Sequence, residues 1–458
     1  MDQKQTIQNL LSDQREYFEQ GNTLEIDFRL EQLKKLKQAI VQFEAKFFDA
    51  LFQDLRKSNF EAYATEVGIV LDEISNMIRH LKKWSKPQKV KTNLLNFGSK
   101  SVIYNDPYGV SLIISPWNYP FQLQISPLIG AIAGGNTAIC KPSELSKSTS
   151  RVIAEMINTT FDPNHVAVVE GGIETNQELL AQDFDFIFFT GSVPVGKIVM
   201  EAAAKNLTPV VLELGGKSPA IVTKDADLDS SARKLAFGKC LNAGQICIAP
   251  DYLLVEKEVK DPLIAKLIFY IKKHLGDDPL SNPDYGKLIN QRNFDRVKRY
   301  LSNGKVVYGG EVDEDKLLIA PTIIDEVTLD DPIMQEEIFG PLLPVMTFDS
   351  LDQAIDIVHK NKNPLALYLF TRSKRTRDRI MKSIPAGGGC VNDVLMHVAN
   401  PNLPFGGIKS SGIGRYHGKS SFETFSNKKG MVIAGPVENK LRYPPYRNKI
   451  KLVRKIMK

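Results

Sequence analysis

From Val110 onward the sequence repeats one pattern: a short apolar, β-rich run that ends in or runs into Gly, Pro or Ser, mostly followed by an amphipathic stretch. The first series of runs comprises GVSLIISP, NTAICKPSE, HVAVVEGG, FDFIFFTGS and TPVVLELGG, and a second series after Gly215 includes PAIVTKD, DYLLVEK, LLIAPTII and LALYLFT. Near-continuous hydrophobic strands that alternate with helices are typical of a parallel sheet covered on both faces. The pattern therefore predicts an α/β fold.

The preceding part of the chain has a different pattern. Residues 1–85 carry apolar residues at helical spacing with Lys and Glu between them, for example in RLEQLKKLKQAIVQFEAKFFDALFQDL, which predicts amphipathic helices. The stretch KPQKVKTNLLNFGSKSVIYNDP has short alternating runs broken by Gly98 and Pro107, which predicts a β-hairpin or β excursion outside the main sheets. A chain of 458 residues has room for roughly two to four domains.

Composition limits the class of protein. Hydrophobic residues at 43% and charged residues at 24% are typical of soluble globular chains. The longest apolar run, near Pro127–Ala133, is too short for a membrane span, and the N-terminus lacks the apolar segment of a signal peptide. The four cysteines include no C-x-x-C pair, and the six histidines have no metal-ligand spacing. We therefore expect no metal site, no disulfide framework and a cytoplasmic location.

The net charge of +6 is a property of the C-terminus. The segment Asn439–Lys458 contains eight Lys and Arg residues and no acidic residue, and without them the chain has 51 basic and 53 acidic residues. The body of the protein is close to neutral, so we do not expect it to bind nucleic acid.

The stretch FFTGSVPVGKIVM contains the spacing G-x-x-x-x-G-K from Gly191 to Lys197, which is the start of a phosphate-binding P-loop. A P-loop needs Ser or Thr next, to hold Mg²⁺, but Ile198 stands there. The dinucleotide fingerprint G-x-G-x-x-G also fails, because Ser192 and Val193 follow Gly191. What remains is a strand, expected at Phe184–Phe189, that leads through a turn to a helix N-terminus. Both a phosphate site and a plain strand–helix turn fit this loop.

Three other stretches carry candidate catalytic side chains. Cys247 lies between two isoleucines in LNAGQICIAPDYLL, Glu213 ends an apolar strand in VVLELGGKSP, and Asn118 lies in the Pro-bracketed turn ISPWNYPF. Each has a structural alternative: a lone Cys is often a small buried hydrophobe, a Glu after a strand is often solvated, and an Asn is common in turns. Taken singly, these residues leave both interpretations open.

Taken together, the motifs resemble the NAD(P)-dependent aldehyde dehydrogenase superfamily through most of the chain. The segments that carry the resemblance, in the family's order, are PWNYPF, KPSE, FTGSVPVGK, LELGGKSP, AGQICIAPDY, EEIFGP, VND and LPFGGIKSSGIG. The segments NPLALYLFT, RYHGKSSFETFS and RYPPY look most like its class 3 branch, which acts on medium- and long-chain or aromatic aldehydes. The segment SFETFS is followed by Asn427 where class 3 relatives often have His.

The resemblance implies an oxidoreductase that converts an aldehyde to its carboxylate. Cys247 would attack the aldehyde carbon to give a thiohemiacetal, because a soft thiolate suits a carbonyl carbon. Asn118 and the backbone N–H of Cys247 would stabilise the oxyanion. Hydride transfer to the cofactor would leave a thioester, and Glu213 would be the general base for the water that hydrolyses it.

The resemblance also implies the cofactor contacts. Lys141 and Glu144 match residues that meet the adenosine ribose, and Gly191 and Ser192 lie at the pyrophosphate. Glu337 and Phe339 match residues at the nicotinamide ribose and ring, and the cofactor site further includes Trp117 and Gly196. A carboxylate beside the ribose favours NAD, with NADP as the alternative cofactor.

From the same resemblance we expect a Rossmann-like cofactor domain (1–85 and 106–212) and an α/β catalytic domain (213–416). A small β excursion (86–105, with 417–445) would join two copies into a homodimer. Residues 446–458 follow as a basic tail.

The basic tail predicts an amphipathic helix if all of it is helical. Tyr446, Ile450, Val453 and Met457 fall on one face, and Arg447, Lys451, Arg454 and Lys458 fall on another. Such a helix would lie on an anionic membrane at the inner face of the cell. The alternative is a solvated tail that packs on a subunit or frays.

Three other functions remain as alternatives to aldehyde oxidation. An acyl-transfer enzyme, either a thioesterase or a CoA-acylating enzyme, would use the same cysteine, although Glu213 favours water as the acceptor. A P-loop phosphotransferase is disfavoured by Ile198, and a catalytically inactive scaffold is disfavoured by the complete set of Cys247, Glu213 and Asn118.

Overall fold

The computed structural model of the chain describes residues 3–437, 440–447 and 449–457. The helices in chain order are α1 (Gln3–Glu19), α2 (Ile26–Leu55), α3 (Asn59–Ala62), α4 (Gly68–Trp84), α5 (Gln122–Gly134), α6 (Lys147–Thr160), α7 (Ile173–Leu180), α8 (Val193–Ala204), α9 (Leu228–Cys240), α10 (Lys260–Leu275), α11 (Gln291–Arg299), α12 (Pro332–Gln335), α13 (Leu351–Lys360), α14 (Lys374–Ser383), α15 (Lys419–Thr424) and α16 (Ile450–Ile456).

The strands in chain order are β1 (Gln88–Val90), β2 (Lys100–Pro107), β3 (Val110–Ile114), β4 (Thr137–Lys141), β5 (Val166–Val168), β6 (Phe186–Gly191), β7 (Val210–Leu214), β8 (Pro219–Val222), β9 (Tyr252–Glu256), β10 (Lys305–Tyr308), β11 (Val312–Asp313), β12 (Leu318–Ile319), β13 (Thr322–Asp325), β14 (Leu342–Phe348), β15 (Ala366–Phe370), β16 (Gly388–Val391), β17 (Gly412–Ile413) and β18 (Ser426–Ile433). The strand expected at Phe184–Phe189 is therefore two residues later, because its pairing with β3 begins at Phe186.

The first large sheet has six strands in the order β17-β7-β6-β3-β4-β5. All neighbours pair in parallel except β17, which is antiparallel to β7. The chain runs outward from β3 through β4 to β5 and then returns to the other side of β3 as β6. This reversal creates a switch point at the carboxyl ends of β3 and β6, the place where open α/β sheets bind ligands.

The second large sheet has seven strands in the order β10-β13-β14-β9-β8-β15-β16, and only β10 is antiparallel to its neighbour. Its central strands are apolar and buried, as all five residues of β15 show. Buried residues of the second sheet, of one face of the first sheet and of the helices between them belong to one hydrophobic cluster, and the other face of the first sheet forms a second cluster with α1 and α8. The expected α/β architecture with two strand–helix series is confirmed.

A third, smaller sheet lies apart from the other two. β1 and β18 both pair antiparallel with β2, and the β1–β2 pair is the hairpin expected from the sequence. The residues of β18 after Ser426 are exposed.

The expected domain boundary between residues 212 and 213 falls inside β7, and β17 joins the first sheet from the far end of the expected catalytic domain. The division into domains stays a prediction.

Two segments of the fold depart from regular helix: the turn between α3 and α4, and the basic tail. A π-helical turn, Tyr63–Val67, joins α3 to α4. Among the tail residues that the structure describes, the helix is α16, and Tyr446 accepts a hydrogen bond from the N–H of Lys449 in a turn before it. Lys458 lies outside the described residues. Over the three described ranges, no helix combines the length and the apolar character needed to cross a membrane.

Candidate active site

A cavity of about 960 Å³ lies between the two large sheets. The carboxyl ends of β3, β6 and β7 face it from one side, and the loops that precede β8, β9 and β14 face it from the other. It brings together eight of the eleven candidate residues from the sequence: Trp117, Asn118, Gly191, Ser192, Glu213, Cys247, Glu337 and Phe339. Lys141, Glu144 and Gly196 are not among its lining residues.

Cys247 follows a short, tight turn that ends helix α9. Asn242 and Ala243 adopt left-handed backbone conformations there, with φ of 48° and 50°. Gly244 has φ of 72°, and a Cβ on it would lie 2.2 Å from the carbonyl oxygen of Gly340. Only glycine fits this position, so the sequence places the turn, and with it the thiol, against the loop that leads into β14.

The Cys247 thiol has its pKa raised above the ordinary value, mainly by burial and then by the charges of Glu337 and Glu213. The backbone N–H groups of Cys247 and Ile248 act in the opposite direction, because they favour the thiolate. Burial and the two neighbouring carboxyl groups therefore favour the thiol over the thiolate.

Asn118 lies in the loop after β3 and is 2% exposed. Its side-chain Nδ2 donates to the carbonyl oxygen of Gln245 at 3.0 Å, two residues before Cys247. The amide thus contacts the segment that carries the thiol, and its nitrogen has a second N–H, which is the group an oxyanion donor needs.

Glu213 is the fourth residue of β7 and is 3% exposed. Neither of its carboxylate oxygens has a hydrogen-bond partner in the described part of the chain. Burial raises the pKa of this carboxyl well above its ordinary value, and Arg415 opposes the shift. A buried carboxyl without partners is costly for folding and free to act on water or substrate.

The loop after β6 leads into the twelve-residue helix α8, for which Ser192 is the N-terminal cap. Ser192 has extended backbone angles and its side chain makes no capping hydrogen bond. The first N–H groups of α8 therefore lie at the switch point beside the cavity, where an anion is favoured. Lys197 and Ile198 are exposed one turn further on, outside the cavity lining, which argues against a triphosphate-binding loop.

The remaining candidates occupy three places. The Nζ of Lys141, which is 1% exposed, contacts Oε2 of Glu144 at 2.7 Å beyond the carboxyl end of β4. Phe339 meets Trp117 edge-on, with ring centroids 5.3 Å apart. Oε1 of Glu337 is buried and has no hydrogen-bond partner within residues 3–437, 440–447 and 449–457. A Cβ on Gly196 would lie 2.6 Å from Cδ2 of Leu214, so this glycine allows α8 to pack closely on β7.

The segment that carries Glu337 is held by charged residues that the sequence did not single out. The Nζ of Lys217 donates to the carbonyls of Ile333 and Glu336 at 2.7 and 3.0 Å and pairs with Asp251 at 2.6 Å. Asp251 also accepts a hydrogen bond from the N–H of Ile338 at 3.0 Å. Lys217 belongs to the motif LELGGKSP and Asp251 to the motif AGQICIAPDY. Their positions in these motifs are the one signal in the sequence that could have indicated that they support the site.

Most of the cavity wall is apolar. Tyr119, Ile246 and Ile248 surround the reacting centre, and the wall also includes Phe60, Ala64, Ile69, Leu123, Phe237, Leu241, Leu395, Met396, Val398 and Phe405. In the described residues, no group of three or more His, Cys, Asp or Glu side chains is arranged to hold a metal ion.

A model of the aldehyde dehydrogenase family matches residues 1–431 of this chain. The chain is 48% identical over 455 residues to the 4,4'-diaponeurosporen-aldehyde dehydrogenase of Staphylococcus aureus (strain NCTC 8325 / PS 47), with 99% of each sequence covered. It is 46% identical to aldehyde dehydrogenase family 3 member B1 of Bos taurus, over 96% of this chain and 94% of that protein. A structure of the substrate-bound state of Staphylococcus aureus AldH matches with a TM-score of 0.97, 48% identity and 99% coverage of each chain.

These matches show that the protein is an NAD(P)-dependent oxidoreductase that oxidises aldehydes to carboxylates. The chain belongs to the aldehyde dehydrogenase family, and its relatives include members of class 3. The resemblance stated from the sequence motifs is confirmed.

Proposed function

We propose that this enzyme oxidises apolar aldehydes of medium or long chain, or aromatic aldehydes, with Cys247 as nucleophile. The observation that carries the proposal is the single cavity that joins Cys247, Glu213 and Asn118 to a long apolar wall. The name of the Staphylococcus aureus relative, a 4,4'-diaponeurosporen-aldehyde dehydrogenase, supports an apolar substrate. The family assignment leaves both the site residues and the aldehyde to be identified.

The proposed reaction uses three side chains of the cavity. The Cys247 thiol loses its proton to water, and the thiolate adds to the aldehyde carbon, while Asn118 Nδ2 and the N–H of Cys247 donate to the oxyanion. A bound NAD(P)⁺ would supply the hydride acceptor that converts the thiohemiacetal on Cys247 to a thioester. Glu213 takes a proton from water, which attacks the thioester and releases the carboxylate and the thiol. The apolar wall excludes bulk water and so limits side reactions.

The residues at the switch point fit the cofactor. The uncapped N-terminus of α8 at Gly191 and Ser192 suits a pyrophosphate, and the unpartnered Oε1 of Glu337 suits a ribose hydroxyl. Lys141 and Glu144 would bind the adenosine ribose, and Phe339, supported by Trp117, would pack near the nicotinamide. The carboxylate of Glu144 favours NAD over NADP, because it would repel a 2′-phosphate.

The test is NADH formation with aldehydes of increasing chain length, for the wild type, Cys247→Ala and the control Cys390→Ala. Cys390 is the other cysteine that is partly accessible. We expect kcat/KM to rise with chain length and to be lost only in Cys247→Ala. Full activity of Cys247→Ala would refute the nucleophile, and hydrolysis of esters without NAD-dependent oxidation would refute the reaction.

We further propose that the three-stranded sheet β1-β2-β18 joins two copies into a homodimer. β18 is an edge strand with exposed apolar side chains, among them Met431, Val432 and Ile433. An exposed edge of this kind is suited to pairing with a second copy. In the proposed domain division, residues 86–105 and 417–445 belong to this dimerisation element.

We also propose that the basic tail contacts anionic membrane. Ile450 and Met457 of the predicted apolar face are 60% and 68% exposed, and Lys451 and Arg454 of the predicted basic face are also exposed. An exposed helix with apolar and basic side chains is suited to a negatively charged lipid surface. We expect the full chain to co-sediment with vesicles that contain anionic lipid and a chain ending at Pro445 to remain in the supernatant. Equal binding by both would refute this contact.

A further inference from the structure

Three charged residues are buried beside the loop that leads to Cys247, and the proposed reaction gives them no role. Lys57 precedes helix α3, Glu61 lies within α3, and Glu66 lies in the π-helical turn that follows. Their exposures are 0%, 6% and 0%. Buried charges need specific partners, so their contacts indicate what they hold in place.

Lys57 and Glu66 hold the loop that carries Asn118. The Nζ of Lys57 contacts Oε1 of Glu66 at 2.6 Å and donates to the carbonyl oxygen of Asn118 at 2.9 Å. The other oxygen of Glu66 accepts from the N–H groups of Phe121 and Gln122 at 2.9 and 3.1 Å. The backbone of this loop is therefore fixed at both ends by one ion pair.

Glu61 holds the facing loop, which leads to Cys247. Oε1 of Glu61 accepts from the N–H of Asn242 at 2.9 Å, at the point where the backbone is left-handed. The side chain of Asn242 in turn donates to the carbonyls of Asn118 and Gln245 at 2.9 and 3.1 Å. Asn242 is thus the bridge between the two loops, and Glu61 is the acceptor that orients it.

The π-helical turn explains how one helix reaches both loops. Glu61 and Glu66 are five residues apart. In an α-helix, two side chains at that spacing point about 140° apart around the helix axis. The i→i+5 hydrogen bond of the turn, from the N–H of Gly68 to the carbonyl of Tyr63, adds a residue to the turn and brings the two carboxylates toward the same side.

We propose that Glu61 is a positioning residue for the oxyanion: through Asn242 it keeps the Asn118 amide and the Cys247 N–H directed at the same point. This inference rests on the proposed roles of Cys247 and Asn118. Glu61 acts only through Asn242, and the proposal gives it no contact with the substrate.

The electrostatics agree with a role that depends on hydrogen bonding. Burial raises the pKa of Glu61 to about 7, against the effects of Lys57 and the Asn242 N–H, while Glu66 and Asp284 add to the increase. Because the carboxylate is costly to bury, a glutamine, which keeps an oxygen acceptor without the charge, is the conservative replacement. An alanine leaves the buried N–H of Asn242 without an acceptor.

The test compares Glu61→Ala, Glu61→Gln and the control Asp185→Ala. Asp185 also accepts a backbone N–H, that of Val110 at 2.8 Å, but at the opposite end of the first sheet. We expect Glu61→Ala to lower kcat about tenfold with KM for NAD changed less than about twofold. Glu61→Gln should stay within about threefold of the wild-type kcat, and Asp185→Ala should match the wild type. Wild-type kcat in Glu61→Ala, or an equal loss in Glu61→Gln, would overturn the proposal.

A double-mutant cycle with Asn118→Ala separates positioning from general destabilisation. If Glu61 acts through the oxyanion site, Glu61→Ala added to Asn118→Ala should lower kcat less than about threefold further. A further tenfold loss would overturn the proposal. If Glu61→Ala does not fold, Glu61→Asp serves instead, since the shorter side chain cannot reach Asn242. Activity in Cys247→Ala would refute the proposed function itself, whereas an inactive Cys247→Ala beside a fully active Glu61→Ala would refute only this inference.

Discussion

Glu213 and Cys247 have raised pKa values for the same physical reason. Both are buried where ionised groups are poorly solvated, and each is within the field of another carboxyl group or charge. At neutral pH such a cavity favours neutral side chains. The proposed reaction needs a thiolate and then a carboxylate, so each group must lose a proton before it acts.

The pH dependence of thioester hydrolysis follows from the sign of the Glu213 shift. A general base acts in its ionised form, and a raised pKa moves ionisation to higher pH. We therefore expect steady-state NADH formation to fall as the pH is lowered through a pKa above the ordinary range of a glutamate. A rate that stays constant from about pH 5 to about pH 9 would contradict this.

Glu213→Gln tests the same side chain by replacing its titratable carboxyl group with an amide. The first turnover of NADH should persist, because hydride transfer precedes hydrolysis, and the steady-state rate should fall by about 10²-fold or more. Rapid-mixing measurements of the first turnover and the steady state give both values. Loss of the first turnover together with the steady state would assign Glu213 an earlier role.

Helix α8 packs closely on strand β7 at Gly196. A Cβ on Gly196 would meet Cδ2 of Leu214 at 2.6 Å, and Leu214 is buried next to Glu213. A larger side chain must push the N-terminus of α8 away from the switch point, where the pyrophosphate is proposed to bind.

We expect Gly196→Val to raise KM for NAD about tenfold and to lower the free energy of unfolding by about 1–3 kcal/mol. The control is Gly172→Val, because a Cβ on Gly172 meets nothing within 4 Å. NAD titrations and denaturant unfolding of both variants provide the measurement. An unchanged KM in Gly196→Val would show that the packing of α8 does not set cofactor affinity.

At the level of elements, the sequence predicted what depends on local patterns. Apolar runs bounded by Gly, Pro or Ser located β3 to β7 of the first sheet and β8, β9, β13 and β15 of the second, but not β10, β14, β16 or β17. Gly-containing motifs located the loops that hold Cys247 and Ser192. The role of Glu61 could not be predicted, because its partner Asn242 is 181 residues away. Without knowledge of that contact, a glutamate in an amphipathic helix is indistinguishable from a solvated one. The π-helical turn at Tyr63–Val67 likewise has no local signal.

For the whole molecule, β18 is an edge strand whose apolar side chains are exposed in a single copy. Val432 is 53% exposed there, and Phe269 on α10, at 56%, is an equally exposed side chain on another surface. We expect the wild type to sediment as a dimer, Val432→Lys to shift toward monomer, and Phe269→Lys to match the wild type. A monomeric wild type would contradict the proposed interface.

The central claim is that one cavity carries out cysteine-based aldehyde oxidation, and the acyl-enzyme tests it most directly. Glu213→Gln mixed with NAD and a long-chain aldehyde should accumulate a thioester, seen as an acyl adduct in the intact mass. Peptide mapping should place that adduct on Cys247. An acyl group on Cys390, Cys140 or Cys240, or NADH formation without any adduct on the enzyme, would contradict the account.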